Sequence, residues 1–566
     1  MFRKRAGDAM MDMLIEWGVD HIYGMPGDSI NSLIESIRKR KEQLDFVQVR
    51  HEEAGALAAA SYAKLTGKLG VCMGIAGPGA IHLLNGLYDA KLDKVPVLAI
   101  AGQVETDLMG SDFFQEVDLA NLFKDVAVYS QTVMSAEQLP TVVNQAVRAA
   151  YDKKGVSVLI IPDDIPKMEI ERGARVTSTT LVQSDQIPQQ QDIQQAEKLL
   201  NKAEKPIILA GKGARGARDS LIRFAEKLNA PIVLTLPGKG IVPDDHPLCL
   251  GGLGLLGTKP ATLAMEEADT LIMVGTSFPF TGFLPENAKT IHIDKDPSQI
   301  GKRYPVDVGL AGDSELTLSK LTVLIQTPND GAFLQKYQSQ MNDWWTRLEE
   351  QEADNSVPIK PQRVVGALQQ VAADDAILSV DVGNVTVWMA RHFKMKNQKF
   401  ITSGWLATLG CGLPGAIAGR IAYPHKQVFA VCGDGGFQMM MNDFVTAVKY
   451  DLPLVCIVFN NHKIAMIKFE QEVMGNAEFG TNLQNPDFAR YADICGGIGY
   501  RVEHPDDILP ALEKAVSHRK PCIIDVVVDA NEAPLPAKIT FAQMTGYARH
   551  MVKELFQEGT IHKPPL

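Results

Sequence analysis

Asp434 is the residue in this 566-residue chain whose setting most suggests chemistry. An apolar run, Val428-Phe-Ala-Val-Cys432, leads into Gly433-Asp434-Gly435-Gly436, and a second run, Leu454-Val-Cys-Ile-Val-Phe459, ends in Asn460-Asn461. Such runs read as buried strands, and in an open parallel sheet ligands gather beyond the strands' carboxyl ends. Asp434 and Asn461 stand 27 positions apart. That is room for one strand–helix–strand crossover, so both side chains can face one crevice. A carboxylate and a carboxamide oxygen are hard ligands suited to Mg2+, which shares its coordination with phosphate oxygens. The glycines let backbone N–H groups approach such phosphates. Gly-Asp-Gly alone is ordinary turn chemistry; the specificity lies in the conjunction.

Two further stretches invite the same question. Phe46-Val-Gln-Val-Arg50-His51-Glu52-Glu53 is an apolar strand followed by acids and an Ala-rich helix. Acids there, Glu52 and Glu53, complement a helix's positive end. Gly211-Lys-Gly213-Ala-Arg-Gly216 follows the run from Pro206 as a Gly-x-Gly-x-x-Gly. A nicotinamide site would want an acid at the next strand end, and Ile232-Val-Leu-Thr-Leu236 has none.

The elements that must position these residues follow a steady rhythm. Short apolar runs bounded by Gly or Pro alternate with helical patterns: 46–50, 95–102, 156–161, 206–211, 231–236, 270–275, 377–382, 428–432, 454–460 and 522–528. Several are apolar at successive positions, as strands covered on both faces are, which predicts α/β domains with parallel sheets covered by helices. Residues 176–192 (rich in Ser, Thr and Gln) and 347–362 (charged, with Pro358 and Pro361) break the rhythm and read as linkers. The expected domains are 1–175, 190–345 and 360–535, with a tail at 536–566. Hydrophobic residues at 46% and charged residues at 22% exclude a disordered chain, a coiled coil or a collagen-like fibre. A net charge of −11 without a basic face argues against nucleic acid. No apolar run reaches membrane-span length. The start lacks a signal peptide's apolar segment, and the seven cysteines form no Cys-x-x-Cys pair. The expectation is a cytoplasmic protein with reduced thiols.

The segment from Gly433 to Asn461 resembles the thiamine diphosphate motif of the thiamine-dependent decarboxylase and oxidase superfamily. The resemblance implies Mg2+ held by the side chains of Asp434 and Asn461 and the carbonyl of Lys463, with Gly433, Gly435 and Gly436 around the diphosphate. Relatives commonly carry an aromatic residue and Gly in the loop after the Asn ligand, where this chain has Ile464 and Ala465. Arg50-His-Glu-Glu53 resembles the activating motif, with Glu52 hydrogen-bonding the aminopyrimidine so that the cofactor's own imino group takes the proton. Tyr23 to Ser29 resembles the first active-site loop (Gly27, Asp28), and Gly74 to Gly79 the loop bracketing the pyrimidine (Gly77, Gly79), with His82 beyond. Phe113-Phe-Gln115-Glu116 resembles a substrate-side segment. Ser403 to Gly415 resembles the segment whose bulky residue, here Leu409, bends the cofactor. His82 and Leu409 also read as plain core. By the same resemblance Val382 is expected at the cofactor, and His82, Gln115 and Glu470 among the catalytic set. Activating Glu and metal site face each other across a subunit boundary in this family, which implies a dimer at minimum and most often a homotetramer.

The middle third resembles the FAD domain of pyruvate oxidases. Strand-end and Gly-rich loops follow in the same order, implying FAD contacts at Gly211, Gly213, Gly238, Gly252 and Thr276, with Asp294 or Asp296 at the adenine–ribose end. Acetolactate synthases share both cofactors but typically carry an Arg-Phe-Asp-Asp-Arg-like segment where this chain has Thr276-Ser-Phe-Pro-Phe280. The resemblance therefore implies flavin-linked oxidative decarboxylation of pyruvate through a hydroxyethyl-thiamine diphosphate intermediate. Phosphate-using members carry Gly-Gly-Ser where this chain has Gly27-Asp28-Ser29. A carboxylate there repels a phosphate dianion, which favours acetate with a quinone acceptor over acetyl phosphate with O2. In the tail, Phe541, Met544, Tyr547, Met551, Val552, Leu555 and Phe556 recur at near-helical spacing. That suits peripheral membrane contact or packing on its own domain. An acetolactate-forming carboligase with structural FAD, and a cofactor-binding protein without turnover, are the alternatives.

Overall fold

A computed structural model describes residues 3–171, 178–182, 184–326, 329–534 and 549–550. The tail's apolar stripe lies outside the described residues. Three six-stranded parallel sheets, each flanked by helices, follow one another along the chain. All ten predicted strands are present, with ends within two residues of the expected ones.

The first sheet has the spatial order Asp45–Gln48, His21–Gly24, Gly70–Gly74, Val97–Gln103, Val156–Pro162, Ala127–Thr132. The last has Lys399–Ile401, Ile377–Val380, Val428–Gly433, Val455–Asn460, Cys522–Val527, Ile498–Val502. By position along the chain both read 2-1-3-4-6-5. The middle sheet differs, with Cys249–Gly252, Ile232–Leu234, Pro206–Ala210, Thr270–Val274, Lys289–Asp294, Val308–Ala311 in the order 3-2-1-4-5-6. In every sheet the order reverses beside strand 1, the place where an open parallel sheet takes a ligand beyond the carboxyl ends of its strands. The central strands are buried along nearly their whole length, as the continuous apolar runs require. A short antiparallel ribbon pairs Arg3–Arg5 with Glu169–Glu171.

The first and last thirds pack through small residues. Helix Glu52–Thr66, with six alanines, lies against helix Gly412–Ala422. A Cβ added at Gly415 would approach Ser379 Oγ to 2.2 Å and Ser61 Oγ to 3.2 Å, so glycine allows the close approach. The charged stretch read as a second linker begins inside helix Ala332–Glu352, where Glu352 Oε1 lies 3.0 Å from His392 Nδ1.

Candidate functional site

Glu52 opens the helix after the first sheet's edge strand and is 7% exposed. His51 caps that helix, its Nδ1 accepting from the Glu53 amide at 3.2 Å, and its ring stacks on His82 at 4.3 Å between centroids. His82 Nδ1 lies 2.9 Å from Glu52 Oε2. His82 is therefore no core histidine: it reaches the buried carboxylate from a half-exposed position. A Cβ at Gly79 would come within 3.1 Å of Glu52 Oε1, and one at Gly77, where φ is +66°, within 2.9 Å of the Gln115 carbonyl oxygen. The two glycines thus bring the loop after Gly70–Gly74 against the Glu52 carboxylate on one side and Gln115 on the other. Glu116 shapes the Gln115 loop, its carboxylate accepting from the amides of Gly110 (2.5 Å) and Phe113 (3.1 Å). Gly27 packs against Ile75, and the Ala76 amide donates to Ser29 Oγ at 2.9 Å. Asp28 stands exposed on this stitched loop.

The second cluster lies at the carboxyl ends of Val428–Gly433 and Val455–Asn460. Asp434 is buried and accepts four N–H groups: Gly435 N on Oδ1 at 2.9 Å, and Asn461 N (3.1 Å), His462 N (2.6 Å) and Asn485 Nδ2 (2.7 Å) on Oδ2. Burial pushes its carboxyl upward against the pull of these donors. No ion pair to Asp434 exists among the described residues. Asn461 Oδ1 accepts from the Lys463 amide at 3.0 Å. His462, at φ +57°, turns the chain, and the segment 481–483 pins the turn through Ile464 N to Thr481 O and Leu483 N to His462 O, both 2.7 Å. The three glycines differ in purpose. Gly433 faces open space, a Cβ at Gly435 would meet Ile464 Cδ1 at 2.7 Å, and one at Gly436 would meet the Asp381 carboxylate at 2.8 Å. A buried carboxylate lacking a cationic partner, with a carboxamide and a peptide oxygen on the adjoining turn, is a donor set that fits Mg2+.

Between the two clusters, Val382 packs with Ala54, Leu57, Cys411 and Met440. Leu409 is half-buried in a loop tied to both thirds: Thr408 Oγ1 donates to Leu409 O at 3.1 Å and accepts from Asn85 Nδ2 at 2.9 Å. Glu470 is exposed on helix Ala465–Val473 and makes no side-chain hydrogen bond among the described residues. No hydrogen bond or ion pair among those residues joins Glu52 or His82 to Asp434 or Asn461. Around each cluster, large apolar side chains are left exposed: Met25, Ile81, Phe113 and Phe114 on one, Met439, Ile467, Met474 and Phe479 on the other.

In the middle sheet the Gly-x-Gly loop stands at the switch point. A Cβ at Gly211 would meet Thr276 Cβ at 2.5 Å, one at Gly213 would meet Gly275 Cα at 2.7 Å, and one at Gly238 would meet Ala210 O at 2.7 Å. Gly252, near Gly257, is less crowded. Asp296 is committed elsewhere: it caps a short turn through Ser298 N (3.0 Å) and pairs with Lys94 (3.0 Å). Those partners hold its carboxyl well below the usual range. The carboxylate of Asp294, at the end of Lys289–Asp294, accepts the Asp296 amide at 2.9 Å.

Sequence reasoning missed Asn485, which also donates to Asn460 Oδ1 at 2.7 Å while Asn460 Nδ2 donates to Asp525 at 2.8 Å. Its only signal was a loop-forming Asn-Pro. Asp381, fully buried at the end of Ile377–Val380, was also missed, although an acid directly after an apolar strand was the pattern that found Asp434.

Three family models match in order: thiamine pyrophosphate enzyme, N-terminal TPP binding domain at residues 4–122, central domain at 193–321, and C-terminal TPP binding domain at 381–526. The chain is 52% identical over 567 residues to a Bacillus subtilis protein named as thiamine pyrophosphate-containing, YdaP, across 100% of this chain and 99% of that one. It is 39% identical to a pyruvate oxidase of Lactiplantibacillus plantarum, covering 94% of this chain and 90% of the relative. It is 31% identical to acetolactate synthase isozyme 3 large subunit of Escherichia coli, covering 93% and 95%.

Proposed function

Because this chain belongs to the thiamine pyrophosphate enzyme family, we propose that it is a flavin-linked pyruvate oxidase. The overall reaction would take pyruvate and water to carbon dioxide and acetate, with FAD as the first electron acceptor and a quinone as the second. The observation that carries the flavin reading is the close approach of Gly211 and Gly213 to Gly275 and Thr276 at the switch point of a 3-2-1-4-5-6 sheet. A backbone-lined crevice there suits a dinucleotide. The 39% relative named pyruvate oxidase supports the branch.

In this reading residues 1–175 take the pyrimidine, 190–345 the flavin, and 360–535 the diphosphate and Mg2+. Asp434, Asn461 and the Lys463 carbonyl would hold the metal, with Gly433 bordering the diphosphate. Gly211, Gly213, Gly238, Gly252 and Thr276 would line the flavin nucleotide, with Asp294 rather than Asp296 at its ribose. Bound thiamine diphosphate supplies a thiazolium electron sink for loss of CO2. The chain's own work is to move the proton. Glu52, buried beside His82, would exchange a proton with an aminopyrimidine nitrogen, and Gln115 and Gly77 shape the space above. Glu52 and Asp434 share no contact within one chain, and both clusters are rimmed by exposed apolar side chains. Two copies joining these rims would complete the site, so a homodimer or homotetramer is part of the proposal. Asp28 at the mouth disfavours phosphate, hence acetate. Reoxidation by a membrane quinone would bring the protein to a membrane surface; no helix among the described residues is long and apolar enough to cross one.

Anaerobic stopped-flow mixing with pyruvate, thiamine diphosphate and Mg2+ tests the reading. Rapid flavin bleaching, reversed faster by a quinone analogue than by O2, is the expected result. Reoxidation by O2 with phosphate-dependent acetyl phosphate would keep the oxidase and remove the Asp28 argument. A flavin that stays oxidised while pyruvate becomes acetolactate would replace the reading with carboligation.

A further inference from the structure

We propose that Asp381 is a positioning residue of the thiamine site, its carboxylate holding the loop that presents Leu409 and setting that loop against the Asp434 turn. The inference rests on the roles given above to Leu409 and Asp434. Asp381 sits at the switch point of the last sheet, its amide donating to Val431 O at 2.9 Å and its carbonyl accepting from Thr386 Oγ1 at 2.6 Å. Its backbone is therefore fixed, and its side chain is fully buried.

Both carboxylate oxygens are spent on one loop. Oδ1 accepts from Val382 N at 2.8 Å and from Gly410 N at 2.9 Å, and Oδ2 from Gly412 N at 3.3 Å. The amides on either side of Cys411 are thus anchored, and Gly410, at φ +86°, turns the chain immediately after Leu409. On its other side the carboxylate touches the start of helix Asp434–Met440, where a Cβ at Gly436 would intrude to 2.8 Å. The loop's far end is tied through Thr408 Oγ1 to Asn85 Nδ2 (2.9 Å), which also donates to Glu53 Oε1 at 2.5 Å. Leu409 is strung between the Glu52 helix and Asp381. A buried charge is costly unless several donors satisfy it. Packing alone would be served as well by a neutral side chain of the same shape. Three backbone amides converging on two oxygens ask for a group that accepts on both.

Asp381→Asn keeps the shape and turns one acceptor into a donor. Three results are expected. Amide hydrogen exchange at Gly410 and Gly412 quickens in the cofactor-free chain. The thiamine diphosphate concentration for half-saturation, with Mg2+, rises about tenfold. Added to Leu409→Ala, the change has little further effect on turnover, because both act through one loop. A folded Asp381→Asn chain with unchanged exchange and half-saturation, or one additive with Leu409→Ala, overturns the proposal. If Asp381→Asn does not fold, Gly436→Ala, which must displace the same carboxylate, is read the same way, and unchanged exchange at Gly410 overturns it. An unaltered chain that binds no thiamine diphosphate at all would sink the thiamine reading itself, and Asp381's role toward Leu409 with it.

Discussion

In the first sheet the chain leaves its second strand, Asp45–Gln48, and enters helix Glu52–Thr66; in the last it leaves Lys399–Ile401 and enters helix Gly412–Ala422. The strand orders match and the two helices pack on each other, yet the carboxylates occupy different stations. In the first sheet the acid, Glu52, follows strand 2, and the turn after strand 3 is bare glycine and proline (Gly77-Pro78-Gly79). In the last sheet the acid, Asp434, follows strand 3, and the segment after strand 2 presents apolar Leu409. Their surroundings differ as well. Glu52 has one ring nitrogen beside it, whereas Asp434 has four N–H donors and no cationic partner among the described residues. In the proposed reading, one scaffold thus serves two ends, a carboxyl that exchanges a proton and a carboxylate held in place for a cation.

Glu52→Gln gives the sharpest contrast. It keeps a polar side chain beside His82 but cannot carry the proton. We expect turnover to fall at least about 100-fold with thiamine diphosphate and Mg2+ binding little changed. A variant that turned over normally would remove proton transfer from the first sheet. Asp434→Asn should do the reverse: the concentration of Mg2+ supporting half-maximal cofactor binding rises about 10–100-fold, while turnover at saturating Mg2+ falls less. Equal effects on binding and turnover in both variants would erase the division of labour.

How far this division could be read from the sequence depended on burial. Asp434 and Asn461 were legible because each ends a continuous apolar run, and strands covered on both faces write such runs. Of the six edge strands in the three sheets, only Asp45–Gln48 was found. The others, such as Ala127–Thr132 with its half-exposed residues and the three-residue Lys399–Ile401, carry no such run. His82 was ambiguous, since ring burial does not reveal that a helix start and a glycine loop converge on it. Asn485 was invisible. It lies 24 positions beyond Asn461 in a polar loop, and only the fold brings its amide to Asp434.

Asn485 therefore probes the last sheet more gently. Asn485→Ala removes one of the four donors on Asp434 and the only described donor on Asn460 Oδ1. A partner orienting a ligand from behind commonly costs tenfold or more when lost, and with three donors remaining we expect about tenfold weaker Mg2+ dependence and turnover at saturating Mg2+ close to normal. No change would mean that the backbone amides alone orient Asp434.

The last effect is read in stability and not in activity, and concerns a charge the first sheet has no counterpart for. Burial raises the Asp381 carboxyl from the ordinary 3.8 to about 6, against the pull of its three amide donors and Cys432. A carboxyl whose folded-state pKa is raised binds its proton more tightly folded than unfolded. Stability from this group is therefore highest below about pH 4, declines as pH rises from about 4 to 6, and is fully lost above about 6. Two units correspond to about 3 kcal/mol, the cost of keeping an ionised carboxylate inside. Measured as the difference in unfolding free energy between the unaltered chain and Asp381→Asn, the pH dependence of every other group cancels. That difference should move toward the unaltered chain on acidification through this window and stay flat above it. A difference constant from pH 7 to 4 would mean that the three amides already offset the burial of Asp381, and that the last sheet bears its positioning charge without loss of stability.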